Sequence, residues 1–269
     1  MNYSKTFFSY FKNSLGNSFF GSAYRFRKYL NSKQRIHQQE YQNLNEFGYH
    51  VIENYVSEET ALKLNREFKE SLKKFSSYIA EKDDQRLFGV ENCLKGAGLL
   101  FNDEKLSIIS DLVNKDRTKC CFTLGGYLKA GQNGSSGGGW HRDAFLSQFK
   151  AMLYLTDVNE KNGPFQIIPE SHRFKNVLKA ISRGGLSEWQ DRLTDGEVKN
   201  VEKALGLERK TFLGKAGTLI LFNSTTIHRG KPIESGERSA LTNYYFPHSR
   251  ETSSIRKQFA PMLTAQDVS

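Results

Sequence analysis

The stretch Gly139-Trp140-His141-Arg142-Asp143-Ala144 decides how this chain of 269 residues is interpreted. In a β-strand successive side chains point to opposite faces, so His141 and Asp143, two residues apart, point the same way. An imidazole nitrogen and a carboxylate oxygen on one face can bind the same metal ion. Because a histidine and an aspartate at this spacing are common, the surrounding residues must decide whether a metal site is present.

The sequence on both sides of this stretch predicts short β-strands. Apolar and β-branched runs alternate with turns that contain Gly, Asn and Pro, a pattern typical of an antiparallel barrel or a jelly roll of the cupin kind. The predicted strands cover residues 49–55, 122–128, 148–158, 165–169, 218–222 and 240–246. Two helices are also predicted, one capped by Ser57 and one over residues 105–114. We therefore expect a mainly β fold with flanking helices.

A second histidine, His228, follows the apolar strand at 218–222 and lies 85 residues after Asp143. Neighbouring strands of a barrel can bring His141, Asp143 and His228 to one metal ion. Two histidines and one carboxylate form the facial triad of non-haem Fe(II) oxygenases, which leaves the other coordination positions open. Arg238 comes ten residues after His228, and its planar guanidinium suits a carboxylate. Iron and a carboxylate-binding arginine together suggest a 2-oxo acid as co-substrate.

At these residues the chain resembles the phytanoyl-CoA dioxygenase family of Fe(II)- and 2-oxoglutarate-dependent oxygenases. The matching motifs follow one another in the family's order: Trp140-His141-Arg142-Asp143, Tyr154-Leu155-Thr156-Asp157, the run from Asn162 to His172, Lys215-Ala216-Gly217-Thr218-Leu219, and His228 with Arg238. The resemblance covers roughly residues 41–248, and we expect a charged, helical insertion at 174–214 to lie outside it.

The resemblance implies a double-stranded β-helix in which His141, Asp143 and His228 bind Fe(II). Arg238 would bind the distal carboxylate of 2-oxoglutarate, and O2 would be the second co-substrate. The family's chemistry hydroxylates a C–H bond while 2-oxoglutarate is decarboxylated to succinate. Family halogenases have a small residue in place of the carboxylate ligand, so Asp143 favours hydroxylation over halogenation.

Other candidates for the pocket are weaker. Gln148, Lys150, Met152 and Tyr154 share one face of a predicted strand, and we expect Lys150 or Tyr154 to contact 2-oxoglutarate; the alternative is a solvated strand face. We interpret His172 as structural, and His37, His50 and His248 as surface or core histidines. The glycine-rich run 134–139 lacks the Gly-Lys-Ser/Thr ending of a phosphate-binding loop, so we interpret it as a flexible lip beside the metal.

Charge separates an N-terminal arm, residues 1–36, from the rest of the chain. Seven of the ten net positive charges precede Glu40, the first acidic residue, and phenylalanines recur at helical spacing in this arm. Three interpretations stay open: a helix in a membrane interface, a helix that packs on the body or a partner subunit, and an organelle targeting peptide. Because the remaining chain is nearly balanced in charge, we expect no nucleic-acid partner.

The rest of the chain is expected to form an oxygenase domain over residues 37–250 and a C-terminal tail over 251–269. Three cysteines do not form a disulfide framework, and no run of 18 apolar residues could span a bilayer. We expect a cytoplasmic protein, with peripheral membrane contact through the arm as an open alternative.

We expect this protein to hydroxylate a small-molecule or lipid-linked substrate. Two alternatives stay open: a non-catalytic cupin-like binding protein with a relic metal site, and a metal-dependent isomerase on the same barrel. Arg238 discriminates between them, because neither alternative requires a carboxylate-binding arginine beside the metal.

Overall fold

The computed structural model describes residues 31–33, 35–80, 84–131 and 138–268. The α-helices are α1 (Gln38–Glu46), α2 (Glu58–Lys74), α3 (Gly98–Phe101), α4 (Glu104–Asn114), α5 (Phe174–Ser182), α6 (Asp195–Leu205), α7 (Thr252–Gln258) and α8 (Ala265–Val268). The strands are β1 (Tyr49–Ile52), β2 (Gln85–Phe88), β3 (Thr118–Lys129), β4 (Trp140–His141), β5 (Phe149–Tyr154), β6 (Phe165–Ile167), β7 (Arg192–Leu193), β8 (Lys210–Phe212), β9 (Leu219–Asn223), β10 (His228–Gly230) and β11 (Glu237–Pro247). Most of the N-terminal arm and residues 132–137 of the glycine-rich lip lie outside the described residues.

Two antiparallel sheets form the body of the protein. The larger sheet has the order β1-β9-β5-β11-β3-β2, and the smaller has the order β7-β4-β10-β6-β8. From β3 to β6 and from β8 to β11, successive strands along the chain alternate between the two sheets, which is the connectivity of a jelly roll. The predicted fold class, mainly β with flanking helices, is confirmed.

The predicted helix after Ser57 packs on the outer face of the larger sheet. The Ser57 hydroxyl accepts a hydrogen bond from the backbone N–H of Thr60 and caps α2. The ring of Phe68, on the buried face of α2, lies against Gly125 of β3. A Cβ at residue 125 would come within 2.3 Å of that ring, so the glycine sets how closely the helix approaches the sheet.

Apolar side chains from both sheets fill one end of the space between them. Met152 and Phe222 extend from the larger sheet towards Phe165 and Ile167 of the smaller sheet, and all four are buried. At the other end the sheets enclose a cavity of about 620 Å³, and Met152, Phe165 and Phe222 form part of its lining. The apolar cluster is thus the floor of the cavity.

We expected residues 174–214 to form a helical insertion, but the segment is not purely helical. It contains α5 and α6, but its strands β7 and β8 form the two edges of the smaller sheet. Leu193 of β7 pairs with Trp140 of β4, and both pack in one cluster with Ala180 and Val201 of the two helices. Strands of two or three residues are too short to show a hydrophobic period, which is why the sequence pattern missed them.

The C-terminal segment packs on the body, although we predicted a tail beyond the oxygenase domain. Ile255 of α7 and Leu263 after it are buried, and Met262 forms a parallel bridge with Phe88 of β2. The segment therefore covers part of the larger sheet. Among the described residues, the structure contains no helix whose length and apolar character would let it cross a membrane.

Gly217, in the turn before β9, holds this part of the barrel together through backbone contacts. Its N–H donates to the Tyr154 carbonyl at 2.9 Å, and its carbonyl accepts from the Tyr55 N–H at 3.0 Å. Its φ of +95° belongs to the region that favours glycine, and a Cβ would lie 2.2 Å from the carbonyl oxygen of Val56. Backbone conformation and space both require glycine here.

We expect Gly217→Ala to destabilise the protein by roughly 3 kcal/mol, because the change adds a backbone clash to the strain of a positive φ. Gly185→Ala is the matched control: its φ is +77°, but no atom lies within 4 Å of the added Cβ. It should cost about 1 kcal/mol. Urea denaturation of both variants measures the difference, and equal losses would show that the clash with Val56 is relieved by movement.

Candidate metal centre

The pairing of β4 with β10 brings the two predicted histidines together. His141 and His228 are direct antiparallel partners, and their ring centroids lie 4.3 Å apart. Directly opposed residues in antiparallel strands point to the same face, and here that face lines the cavity. Both imidazoles are buried. Two residues 87 positions apart in sequence thus become nearest neighbours.

Asp143 completes the cluster from the loop that follows β4. Its backbone N–H donates to the Ser224 carbonyl at 3.0 Å, which ties the loop to the end of β9. Its Oδ1 lies 3.6 Å from Nε2 of His141, and its Oδ2 lies 3.3 Å from Nε2 of His228. One ligand atom from each residue lies within 4.8 Å of the other two. The structure therefore brings together all three residues that we predicted as metal ligands.

Backbone carbonyls set the protonation of both imidazoles. Nδ1 of His141 lies 2.8 Å from the Gly139 carbonyl oxygen, and Nδ1 of His228 lies 2.7 Å from that of Thr226. A carbonyl only accepts hydrogen bonds, so Nδ1 carries a proton in each ring, and in the neutral imidazole the lone pair lies on Nε2, which is directed at the cluster. Two imidazole nitrogens and a carboxylate form the donor set that suits a divalent transition metal.

The electrostatics of the cluster keep its donors in their metal-binding forms. Burial, together with the neighbouring His228, lowers the pKa of His141 to about 3, so this imidazole is neutral at physiological pH. Burial alone would raise the pKa of Asp143, but the charge of Lys150 holds it well below its usual range. Lys150 Nζ lies 2.9 Å from Asp143 Oδ2. Asp143 is therefore an anion whose charge Lys150 balances.

Arg238 lies in the cavity lining and contributes a buried positive charge. It extends from β11 in the larger sheet, and it donates a hydrogen bond to the carbonyl of Gly163. Its Nε has no hydrogen-bond partner among the described residues, and no described carboxylate forms an ion pair with it. A buried guanidinium is costly without a compensating anion. The site is thus suited to bind a ligand that carries a carboxylate.

The weaker pocket candidates are placed in different ways. Gln148, Lys150 and Met152 line the cavity, so this strand face is not the solvated one. The Tyr154 hydroxyl donates to the Phe212 carbonyl at 3.1 Å and accepts from the Phe165 N–H at 3.1 Å. The hydroxyl is therefore already used in two hydrogen bonds within the protein. This arrangement does not support the expected contact between Tyr154 and 2-oxoglutarate. Lys150 is held by Asp143, and its contact with 2-oxoglutarate stays a prediction.

His172 and His50 form hydrogen bonds with groups outside the cluster. His172 Nε2 donates to the Asn45 carbonyl at 3.1 Å, and burial lowers its pKa to about 4. Nδ1 of His50 accepts a hydrogen bond from the side-chain amide of Asn43 at 2.9 Å. Both placements agree with the structural roles that we expected.

Trp140 is a supporting residue whose role the sequence did not reveal. Its indole N–H donates to Asp195 at 2.9 Å, and the guanidinium of Arg229 lies 4.5 Å from its ring centroid and also binds Asp195. Trp140 and Arg229 directly adjoin the ligands His141 and His228. One carboxylate therefore ties both ligand-bearing strands from the side that faces away from the cavity. In the sequence, only the position of Trp140 next to His141 could have indicated its supporting role, and nothing indicated the role of Asp195.

Comparison with family models places most of the chain in one known family. The model described as "Phytanoyl-CoA dioxygenase (PhyH)" matches residues 44–240. This range contains the metal-ligand cluster and Arg238. It also includes residues 174–214, which we had expected to lie outside the resemblance.

Curated relatives and solved structures agree with that match. Proteins named ectoine dioxygenase from Bordetella parapertussis and Bordetella bronchiseptica are each 30% identical over 96 residues, 33% of this chain and 31% of the relative. The match therefore spans about a third of the length of these relatives.

Two solved structures show the fold. EctD from S. alaskensis, with 2-oxoglutarate and 5-hydroxyectoine, has a TM-score of 0.61 at 18% identity, over 78% of this chain and 76% of that one. The epimerase SnoN, in complex with Fe3+, alpha ketoglutarate and nogalamycin RO, has a TM-score of 0.60 at 13% identity, over 81% and 87%.

We expect His228→Ala to weaken the binding of Co(II), used as a divalent probe, on the order of 100-fold or more, because loss of a ligand costs at least as much as loss of a residue that supports one. Isothermal titration calorimetry at neutral pH measures the affinity. His50→Ala is the control, since His50 bonds Asn43 outside the cluster. Equal Co(II) affinity of wild type and His228→Ala would contradict the assignment.

Proposed function

The chain belongs to the phytanoyl-CoA dioxygenase family, and we propose that it uses Fe(II), 2-oxoglutarate and O2 to hydroxylate a C–H bond of a small-molecule or lipid-linked substrate. The observation that carries this proposal is the convergence of His141, Asp143 and His228 on one point of a cavity that also contains Arg238. A metal-dependent hydrolase or isomerase would not require the buried arginine. A non-catalytic binding protein would not require it either.

The three clustered residues would hold Fe(II) from one side. His141 and His228 would each supply Nε2 and Asp143 a carboxylate oxygen, which leaves the positions facing the cavity for small molecules. When bound, Fe(II) with 2-oxoglutarate and O2 supplies the oxidising power for hydroxylation, with succinate and CO2 as the co-products. The presence of Asp143, where the family's halogenases have a small residue, favours hydroxylation.

Arg238 would bind the distal carboxylate of 2-oxoglutarate. Its guanidinium is buried and has no anionic partner among the described residues, so a ligand carboxylate would compensate its charge. The carbonyl of Gly163 orients it from one side. The co-substrate would thus be bound between a metal and an oriented cation, which sets its direction in the cavity.

We expect wild-type protein with Fe(II) and 2-oxoglutarate, without O2, to develop a weak charge-transfer band in the visible spectrum. Arg238→Met should raise the concentration of 2-oxoglutarate needed for half of this band by about 100-fold, because a buried charge pair is lost. Arg66→Met, which changes an exposed arginine of α2, should leave the titration unaltered.

Absence of the band in the wild type would refute the oxygenase proposal. An unaltered titration of Arg238→Met would instead refute only the role of this arginine. Once a substrate is found, mass spectrometry of the product should show the gain of one oxygen atom. This readout separates hydroxylation from the epimerisation and carbocyclisation named for two proteins of the same fold.

We further propose that residues 1–36 bring the protein into contact with an anionic membrane surface. The support comes from the sequence: the arm carries seven Lys and Arg residues and no acidic residue, and its aromatic residues recur at helical spacing. Such a contact would present a lipid-linked substrate to the cavity.

Deletion of residues 1–36 should release the protein from anionic liposomes without abolishing the turnover of 2-oxoglutarate. Co-sedimentation with phosphatidylserine vesicles, with neutral phosphatidylcholine vesicles as the control, measures the first effect, and succinate production measures the second. Binding to anionic vesicles that survives the deletion would eliminate the membrane role of the arm.

A further inference from the structure

The outer part of the cavity is formed by residues that follow the family match. The match ends at residue 240, whereas Tyr244, Phe246, Arg250, Gln258 and Phe259 all line the cavity. They come from the end of β11 and from the C-terminal segment that packs on the body. Because the metal ligands and Arg238 lie inside the matched range, this outer part is where the chain can specify its own substrate.

Aromatic contacts connect the metal cluster with the outer end of the cavity. Lys150 Nζ, which binds Asp143, lies 3.8 Å from the centroid of the Tyr244 ring. The Tyr244 ring is 5.6 Å from that of Phe259, which in turn is 6.0 Å from that of Phe246. These rings form one continuous wall, and side chains of this kind bind the apolar part of a ligand.

Arg250 stands where this wall ends. Its guanidinium carbon lies 4.8 Å from the centroid of the Phe246 ring, and one of its nitrogens donates to the side-chain oxygen of Gln258. The ring and the amide hold the guanidinium in place while most of its five N–H donors are left for another partner. None of the ion pairs between described residues involves Arg250.

Several other charged groups of the lining have partners of their own. Arg86 donates two hydrogen bonds to Asp84. The carboxylate of Asp116 accepts a hydrogen bond from the backbone N–H of Arg117 at 2.7 Å. Lys150 is paired with Asp143. Arg250 is thus an oriented cation at the far end of an apolar wall from the metal cluster.

We propose that the substrate is an amphipathic anion, whose carboxylate or phosphate binds Arg250 and whose apolar body lies along the wall of Tyr244, Phe259 and Phe246. The carbon to be oxidised then lies at the opposite end of the apolar body from the anionic group, beside the metal cluster. This inference rests on the proposed function for the reaction itself. The binding of the anion depends only on the described residues of the outer cavity.

A matched pair of fluorescent probes tests the proposal without turnover. The anion 8-anilinonaphthalene-1-sulfonate and its uncharged analogue N-phenyl-1-naphthylamine have similar aromatic bodies and differ in charge. Wild-type protein should bind the anion at one site, and Arg250→Met should weaken that affinity by about tenfold or more, since a charge-assisted hydrogen bond is lost. The affinity for the uncharged analogue should stay unaltered. Phe259→Ala should weaken the binding of both probes.

Arg183→Met, at the exposed C-terminal end of α5, is the matched control for the loss of one positive charge and should bind both probes as the wild type does. Octanoate and octyl phosphate should displace the bound anionic probe, and the stronger competitor identifies the anionic group. Octanol, which has the apolar chain but no charge, should displace it much less effectively. Equal effects of Arg250→Met and Arg183→Met, or displacement by octanol as effective as by the two anions, would overturn the proposal. So would the absence of stoichiometric binding of the anionic probe.

The charge-transfer titration keeps this test separate from that of the oxygenase reaction. Arg250→Met should retain the band with Fe(II) and 2-oxoglutarate, because Arg250 is neither a member of the metal cluster nor the arginine assigned to the distal carboxylate of 2-oxoglutarate. A normal band with failure of the probe experiment would leave the oxygenase proposal intact and remove the substrate class. If the probes bind as expected but the protein develops no band, the oxygenase proposal is refuted and the anion-binding site remains supported.

Discussion

The antiparallel register of β4 against β10 is the constraint on which the rest of the site depends. It opposes His141 and His228 directly, so that both imidazoles face one cavity. A shift of one residue would turn one imidazole to the other face of the sheet and separate the pair. Asp143 follows from the same register, because its strand ends two residues earlier and its loop is tied to Ser224 at the end of β9. The metal centre is thus a consequence of strand pairing.

Several interactions outside the cluster stabilise this register. The carboxylate of Asp195 binds both Trp140 and Arg229, the residues next to the two histidine ligands. It belongs to α6, in a segment whose strands also complete the edges of the smaller sheet. The carbonyls of Gly139 and Thr226 fix the tautomer of each imidazole. Groups that hydrogen-bond to the ligands, or to the residues beside them, orient the ligands before any metal binds. This reduces the free-energy cost of assembling the site.

Charge is distributed so that each end of the cavity has a distinct role. At the cluster, Lys150 balances Asp143, and the site keeps its anionic donor without an excess of negative charge. Arg238 is a buried cation whose charge a ligand carboxylate would compensate. Arg250 is an oriented cation near the outside, beyond an aromatic wall. The two arginines also differ in their position relative to the family match, since Arg238 lies within it and Arg250 lies beyond its end.

The sequence by itself determined the long strands, the two predicted helices, the three clustered donors and Arg238, because alternation, capping and motif order are local signals. It did not reveal β7, β8 and β10 as strands, since two or three residues carry no measurable period. It also placed His141 and Asp143 on one strand, whereas β4 ends at His141 and Asp143 lies in the loop that follows. Nor did it show that the hydroxyl of Tyr154 is used by backbone groups, that Lys150 pairs with Asp143, or that the C-terminal segment lines the cavity. Only the tertiary structure decided these points, because each depends on a contact between residues that are distant along the chain or on which of two neighbours a side chain meets.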